Sequence, residues 1–327
     1  MVIHRSWLGA SIVAAATASL LPWPGGAAAA TKGADLRVLD TEGQTLAQFR
    51  QYTGTVHIKT DRQADCFGPP GGSGRRVTVR SATALGIVKD ALRWDRRLRP
   101  LSITDQFSFG LAVCGIGGNV AQGSSFWYLK HNHAGSQVGG DQLKLHDGDD
   151  VLWYLTPSYP PPSELVLRAP VRAQPGVPFK VRVDQYPDDG TKSPAGGATV
   201  SGGAAPATGA DGTTMVTVAD PGNATLQASR ESDGAIPSNV VKVCVNSDPS
   251  RCPDAHGARI LGSDAADEIK GTRGRDAIRA GAGGDLIDLR QGGRDRVACG
   301  SGKDRVTTAA GDRDDRIAGS CERVARR

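Results

Sequence analysis

A mainly β, multidomain protein is what this 327-residue sequence predicts, on three observations. Glycine (43 residues) and proline (19) are abundant while aromatics make up 5%, a balance that favours short strands and turns over helices. Long apolar segments at helical spacing are scarce. From Ile260 onward the chain repeats itself with a period near nine residues, which marks a solenoid. A chain of this length, divided among several such units, leaves each with a modest core.

The first 30 residues read as a secretory signal. His4 and Arg5 open it, Trp7 to Leu21 form an apolar stretch too short and Ala/Ser-rich to span a bilayer, and Ala28, Ala29 and Ala30 suit cleavage near Ala30. No later apolar run reaches spanning length, so a secreted, extracellular or envelope-associated protein without a transmembrane helix is expected. The net charge of +5, from 39 basic and 34 acidic residues, is scattered, and no basic block stands beside interleaved aromatics, so nucleic acid is not an expected partner. Six cysteines in a secreted chain imply three disulfides. Fifteen pairings are formally possible, and sequence locality selects Cys66 with Cys114, Cys244 with Cys252, and Cys299 with Cys321. Zinc is not expected, because no C-x-x-C occurs.

Residues 35–156 form the first expected domain and hold most aromatics of the mature chain; beyond Tyr186 there is no Phe, Trp or Tyr. VTVRS (77–81) alternates like a strand, and ATALGIVKDALRW (82–94) places Leu85, Val88, Ala91 and Leu92 at helical spacing. Strand-like segments follow in FSFGLAVCGIGG (107–118), SFWYLKHNHAG (125–135) and LHDGDDVLWYL (145–155). This order of motifs resembles a bacterial domain family similar to the C-terminal domain of transcobalamin. The resemblance implies a small β-grasp fold, a sheet wrapping one helix, and by analogy a surface of Trp127, Tyr128 and Trp153 for a flat or corrin-like ligand.

A Pro-rich linker (157–163) leads into 164–246, where six or seven short strands separated by turns such as PGVP and DPGN suggest a β-sandwich. AGGATVSGG and TGADGTTMVTV resemble bacterial immunoglobulin-like domains, which implies a spacer or adhesive module. Cys244 and Cys252 are expected to clip its last strand to a second linker (247–259).

The final region, 260–327, repeats Asp, any residue, aliphatic: Asp267/Ile269, Asp276/Ile278, Asp285/Ile287, Asp295/Val297, Asp304/Val306 and Asp315/Ile317. Each unit is read as one turn-plus-strand coil whose aliphatic side chain points to the axis. Gly-rich turns could aim carbonyl oxygens, with Asp carboxylates, at a hard cation that takes 6 to 8 oxygens. The pattern resembles RTX calcium-binding nonapeptide repeats. The resemblance implies calcium as cofactor, with Asp267, Asp276, Asp285, Asp288, Gly274, Gly281 and Gly283 as the expected site, at a weak affinity of roughly 10⁻⁴ to 10⁻³ M. The glycine set is incomplete in every unit, and Arg or Lys flanks many of the Asp residues. Two readings therefore stand: calcium in the first turns, with the Arg-rich later units having lost it, or Arg–Asp pairs and the Cys299–Cys321 bridge in place of metal.

No catalytic constellation stands out. HNH (131–133) would put two imidazoles on one face if strand-like, which could make a metal or substrate site, but its turn composition favours a polar hairpin tip; G-x-S-x-G is missing, and GSGK (300–303) precedes Asp304 instead of Ser or Thr. The sequence thus points to a non-enzymatic modular protein acting in adhesion or ligand capture, with small-molecule binding by the first domain as the alternative.

Overall fold

The computed structural model describes residues 31–64, 66 and 71–327; the expected signal segment, residues 1–30, and Phe67 lie outside the described residues. The chain is mainly β, with 45% strand and 6% helix, arranged in several sheets and ending in a β-solenoid of about four turns. Among the described residues, three large clusters of buried side chains and a small fourth one of Leu39, Leu152, Tyr154 and Ile236 organise it.

In the N-terminal unit the strands Thr45–Thr53, Lys32–Leu39, Asp150–Thr156 and Phe126–His131 lie side by side, with Lys32–Leu39 and Asp150–Thr156 parallel. The helix Ala84–Ala91 packs across this sheet, burying Leu85, Ile87 and Val88, and Thr83 caps it by accepting from the Gly86 amide. It is shorter than the 82–94 periodicity suggested, because Arg93 and Trp94 turn away from the helix to contact the solenoid. Cys66–Cys114, Cys244–Cys252 and Cys299–Cys321 are bonded, the pairs that locality selects.

Residues 164–245 form two four-stranded sheets around one core that includes Leu165, Leu167, Val181, Val216, Leu226 and Val243. One sheet contains Glu164–Arg168 and Phe179–Tyr186, the other Gly222–Ser229 and Val241–Val245. Among the described residues no helix is long and apolar enough to cross a membrane. The three disulfides are consistent with an extracellular or secreted protein.

The solenoid corrects the sequence reading of one coil per nonapeptide. Each coil takes two units, one on either side of a flattened roll. Arg259–Leu261, Ala277–Ala282, Arg296–Ser301 and Arg316–Ile317 form one parallel sheet, and Glu268–Lys270, Leu286–Leu289, Arg305–Thr308 and Arg323–Arg326 form the other. The aliphatic ladder is accordingly two ladders: Ile260, Ile278, Val297, Ile317 and, facing it, Ile269, Ile287, Val306, Val324. Two β sheets facing inward bury both ladders as far as Val297 and Val306, with Ile317 half-buried and Val324 exposed at the last coil, whereas a one-unit coil would have no opposite wall against which to pack.

The first of these sheets continues into the N-terminal unit: Ile260 and Leu261 pair in parallel with Arg50 and Gln51. Tyr52 joins the roll's core at that end. Gln51 Nε2 and Trp94 Nε1 both donate to the Gly262 carbonyl, at 3.0 and 2.9 Å, and Arg93 donates to the Ser263 carbonyl and pairs with Asp264. A solenoid needs its terminal coils covered. Here the N-terminal unit covers the first coil, and Cys299–Cys321 ties the last turn back.

Candidate functional site

Each nonapeptide turn ends in an Asp at the entry to a strand, and the parallel stacking sets these residues in two rows. Asp267, Asp285 and Asp304 follow one edge of the roll, with Glu322 continuing the row; Asp276, Asp295 and Asp315 follow the other. All except Asp315 and Glu322 are buried. The carboxylates link coil to coil. The amides of Asp267, Asp276, Asp285 and Asp295 donate to Oδ1 of Asp285, Asp295, Asp304 and Asp315 at 2.8 to 2.9 Å, and the Asp304 amide donates to Glu322.

The second carboxylate oxygen divides the rows. Asp267 accepts from the Ser263 amide at 2.7 Å and from its hydroxyl; Asp276 accepts from the Thr272 amide at 2.6 Å and the Thr272 hydroxyl at 2.7 Å. Asp285, Asp295, Asp304 and Asp315 each keep a buried Oδ2 that accepts nothing. Gln291, in the turn before Asp295, adds another buried and unpartnered oxygen, Oε1. An orphaned buried acceptor on a charged group costs on the order of several kcal/mol, so four of them in register need a positive counterpart.

Electrostatics agree with this reading of the geometry. Burial, and then the charges of Asp267 and Asp304, push the Asp285 carboxyl up to about 7. Burial, with Asp276, Asp315 and Asp312 adding to it, does the same for Asp295, also to about 7. Burial likewise raises Asp267, against its bonds to Ser263, and raises Asp315. Carboxyls that resist ionisation when alone, as Asp285 and Asp295 do, are ones that a divalent cation would ionise.

The glycines of these turns are structural. Gly283 and Gly302 stack on successive coils with φ of +115° and +143°, and a side chain on Gly302 would strike the Gly283 carbonyl. Gly281 (φ +116°) sits likewise over the Ser263 carbonyl, and Gly274 lies against His256 and Gly257.

Of the expected calcium residues the structure brings Asp285 into the open set, leaves Asp267 and Asp276 satisfied by Ser263 and Thr272, and keeps Asp288 out of the rows. Asp288 lies on the strand Leu286–Leu289 and pairs with Arg290 at 2.8 Å. Apart from Asp285, the open oxygens, on Asp295, Asp304 and Asp315, belong to the Arg-rich units from which sequence reasoning removed the ion. The flanking arginines point outward, alternating with the inward residues, and so do not reach the carboxylates they neighbour in sequence. The signal that marks the difference is the residue four before each Asp, Ser or Thr in the first two units and not thereafter.

The aromatic surface is not assembled. Trp153 is buried and donates to the Ala84 carbonyl, Trp127 is buried and donates to the Asn119 carbonyl, and the Tyr128 hydroxyl donates to Asp188 across to the sandwich. These side chains are core and junction rather than a ligand platform.

A second cluster, whose carboxylates the sequence did not connect to HNH, lies where the first unit meets the sandwich. Ligand-type atoms of His133, Asp150 and Glu164 come within 4.8 Å of one another. The HNH segment is the expected hairpin tip, with Asn132 and His133 at positive φ, and it delivers His133 onto Tyr186. Glu164 is fully buried and accepts from Arg37, with His133 Nδ1 at 3.2 Å and Lys130 Nζ at 3.9 Å. Burial alone would raise the Glu164 carboxyl, but Arg37, His133 and Lys130 hold it low, while burial lifts Asp150 to about 6. Two resident cations already occupy the electrostatic place of a metal, so this is an ionic junction between units.

No known protein family matches the chain, and no curated protein matches it. Among solved structures it is similar to a crystal structure of haptocorrin in complex with Cbi, at a TM-score of 0.25 and 13% identity, covering 38% of this chain. The matched part spans 25% of that protein's length. A superposition of this extent transfers neither fold nor ligand.

Proposed function

We propose that the C-terminal roll is a divalent-cation module, of the RTX calcium-binding kind, in a secreted, non-enzymatic modular protein. The observation that carries this reading is the set of buried, unpartnered oxygens on Asp285, Asp304, Asp295 and Asp315. They fall as two pairs on successive coils, one pair on each edge, at the coil spacing of about 4.8 Å. Calcium suits them better than zinc, because the donors are carboxylate and amide oxygens with no sulfur or imidazole among them. Asp285 with Asp304 would hold one ion, and Asp295 with Asp315 and Gln291 the other. When bound, the ion supplies the positive charge that keeps these acids ionised and locks coil to coil.

The remaining units are read as support. The β-grasp-like N-terminal unit caps the roll, and the immunoglobulin-like sandwich spaces it from whatever surface the protein engages, in adhesion or ligand capture. Titration of the full chain with calcium, followed by calorimetry and thermal unfolding, tests the reading. Heat of binding and a Tm that climbs with calcium concentration are expected. A folded chain that shows neither contradicts it.

A further inference from the structure

The net charge of the roll conceals how its charges are distributed. Between Ile260 and Arg327 there are fourteen Lys and Arg residues and twelve Asp and Glu. All fourteen basic side chains are exposed, whereas five of the acids, Asp267, Asp276, Asp285, Asp295 and Asp304, are buried inside. Fourteen cations against seven accessible carboxylates leave a surface excess of seven positive charges. The parallel register then aligns part of this excess. On the sheet shared with the N-terminal unit, Arg296 stands directly beside Arg316, Arg279 lies one coil away on the same outward face, and Arg275 and Arg294 stack along its edge. Among the described residues, Arg294 meets Asp314 at 3.3 Å, while Arg275, Arg279, Arg296 and Arg316 have no ion-pair partner.

Like charges set directly opposite one another on neighbouring strands are destabilising. An isolated module has no use for such a pair with a third arginine beside it, but an anionic polymer laid across the face does. We propose that this outward face of the roll binds an acidic polysaccharide, one carrying carboxylate or sulfate groups along an extended chain. Each guanidinium offers a planar fork that matches a carboxylate or sulfate in two hydrogen bonds. Arg296 and Arg316 stand one strand spacing apart, about 4.8 Å, and Arg279, beside Ala298 on the preceding strand, extends the positive patch diagonally. Between them lie Ala277, Ala298 and Ala318, small enough to leave the polymer a shallow seat.

Other polyanions fit this face less well. No aromatic side chain follows Tyr186, so nothing here can stack on the bases of a single strand. The outward apolar residues of this face are alanines, which gives no group to insert into a lipid interface; the exposed Leu286 lies on the opposite sheet. The inference goes beyond the cation reading and depends on the roll being folded, not on which ion folds it.

The test uses the full chain with calcium present, with heparin and polygalacturonate as probes and neutral dextran as control. Wild type is expected to bind both acidic polymers, more weakly as salt rises, and not dextran. The double variant R296E/R316E is expected to lose about tenfold or more in affinity, since two charge-assisted contacts become repulsive. R305E/R323E makes the same charge change on the opposite sheet and is expected to stay within about threefold of wild type, a loss only of long-range field. R296A/R316A serves if the reversal disturbs folding, which far-ultraviolet circular dichroism reports. Absence of wild-type binding by a folded chain overturns the proposal. So does an equal loss in both reversals, or binding of duplex DNA or phosphatidylserine vesicles as tight as that of the polysaccharides. Calcium heat with no polymer binding would sink this inference alone, and polymer binding without calcium heat would sink only the cation reading.

Discussion

Asp267 and Asp276 occupy the same place in the repeat as Asp285, Asp295, Asp304 and Asp315, yet their carboxylates are in opposite states. The first two are closed by the amide and hydroxyl of Ser263 and Thr272. The other four hold a buried oxygen open. The residue four positions before the Asp decides this: Ser263 and Thr272 in the closed turns, and Gly281, Gln291, Gly300 and Gly311 in the open ones. A hydroxyl at that point does locally what a cation would do between coils. The roll thus carries a self-sufficient half next to the N-terminal unit and a half that lacks positive charge inside.

The two halves are also held at their ends by different means, and the largest effect expected comes from removing one of them. Replacing Cys299 and Cys321 by Ser opens a loop of 22 residues, for a loss of about 3 kcal/mol by the loop-entropy relation. Hydrogen exchange should show the loss confined to the coils after Val297, with Arg259–Leu261 still protected by its pairing with Thr45–Thr53. Uniform loss of protection would mean that the N-terminal unit does not anchor the roll.

Opening a closed turn should cost somewhat less. Thr272→Gly removes a hydroxyl bonded to a buried carboxylate and should lower cation-free stability by about 1.5 to 3 kcal/mol, read from urea unfolding. In return it should raise the stabilisation that calcium confers. A variant destabilised without any gain in calcium response would separate the hydroxyl from the cation and break the comparison.

Acidity gives a smaller shift whose sign is fixed. Asp285 and Asp295 bind protons more tightly folded than unfolded, because burial and neighbouring carboxylates lift both to about 7. Between the ordinary carboxylate range and pH 7 the folded chain holds protons that the unfolded chain has released, so stability falls as pH rises through that window. Without calcium, the roll should therefore melt a few degrees higher at pH 5 than at pH 8, the size expected for about 1 kcal/mol in a chain of this length. Saturating calcium should reverse the trend, since protons then compete with the ion.

The smallest effect is expected at Asp288, whose pairing with Arg290 is surface-exposed. Arg290→Ala should change stability by at most about 1 kcal/mol and leave calcium heats unchanged. A marked fall in calcium affinity would return Asp288 to the site.

Much of the architecture was legible because it rests on local pattern. Glycine and proline density announced strands and turns, cysteine locality gave the disulfide pairs, and the Asp-x-aliphatic period gave the solenoid. What the linear pattern could not carry was pairing across the roll. Whether Ile278 stacks on Ile269 or on Ile260 depends on which sheet each strand joins, and both choices have the same one-dimensional period. The arginines misled for a related reason: Arg296 is next to Asp295 in sequence, but alternation sends one outward and the other inward. The fate of Trp127, Tyr128 and Trp153 was hidden too, since an aromatic strand reads alike whether it faces a ligand, a helix or a neighbouring unit.

The division between closed and open turns is tested most directly by calcium calorimetry on two double variants of the full chain. D295N/D304N keeps an oxygen for the coil-to-coil amide bond and removes one carboxylate from each open pair; D267N/D276N makes the same change in the closed turns. Loss of the calcium heat in the first, with near wild-type binding in the second, is the expected result. Calcium binding that survives D295N/D304N and disappears in D267N/D276N would contradict it.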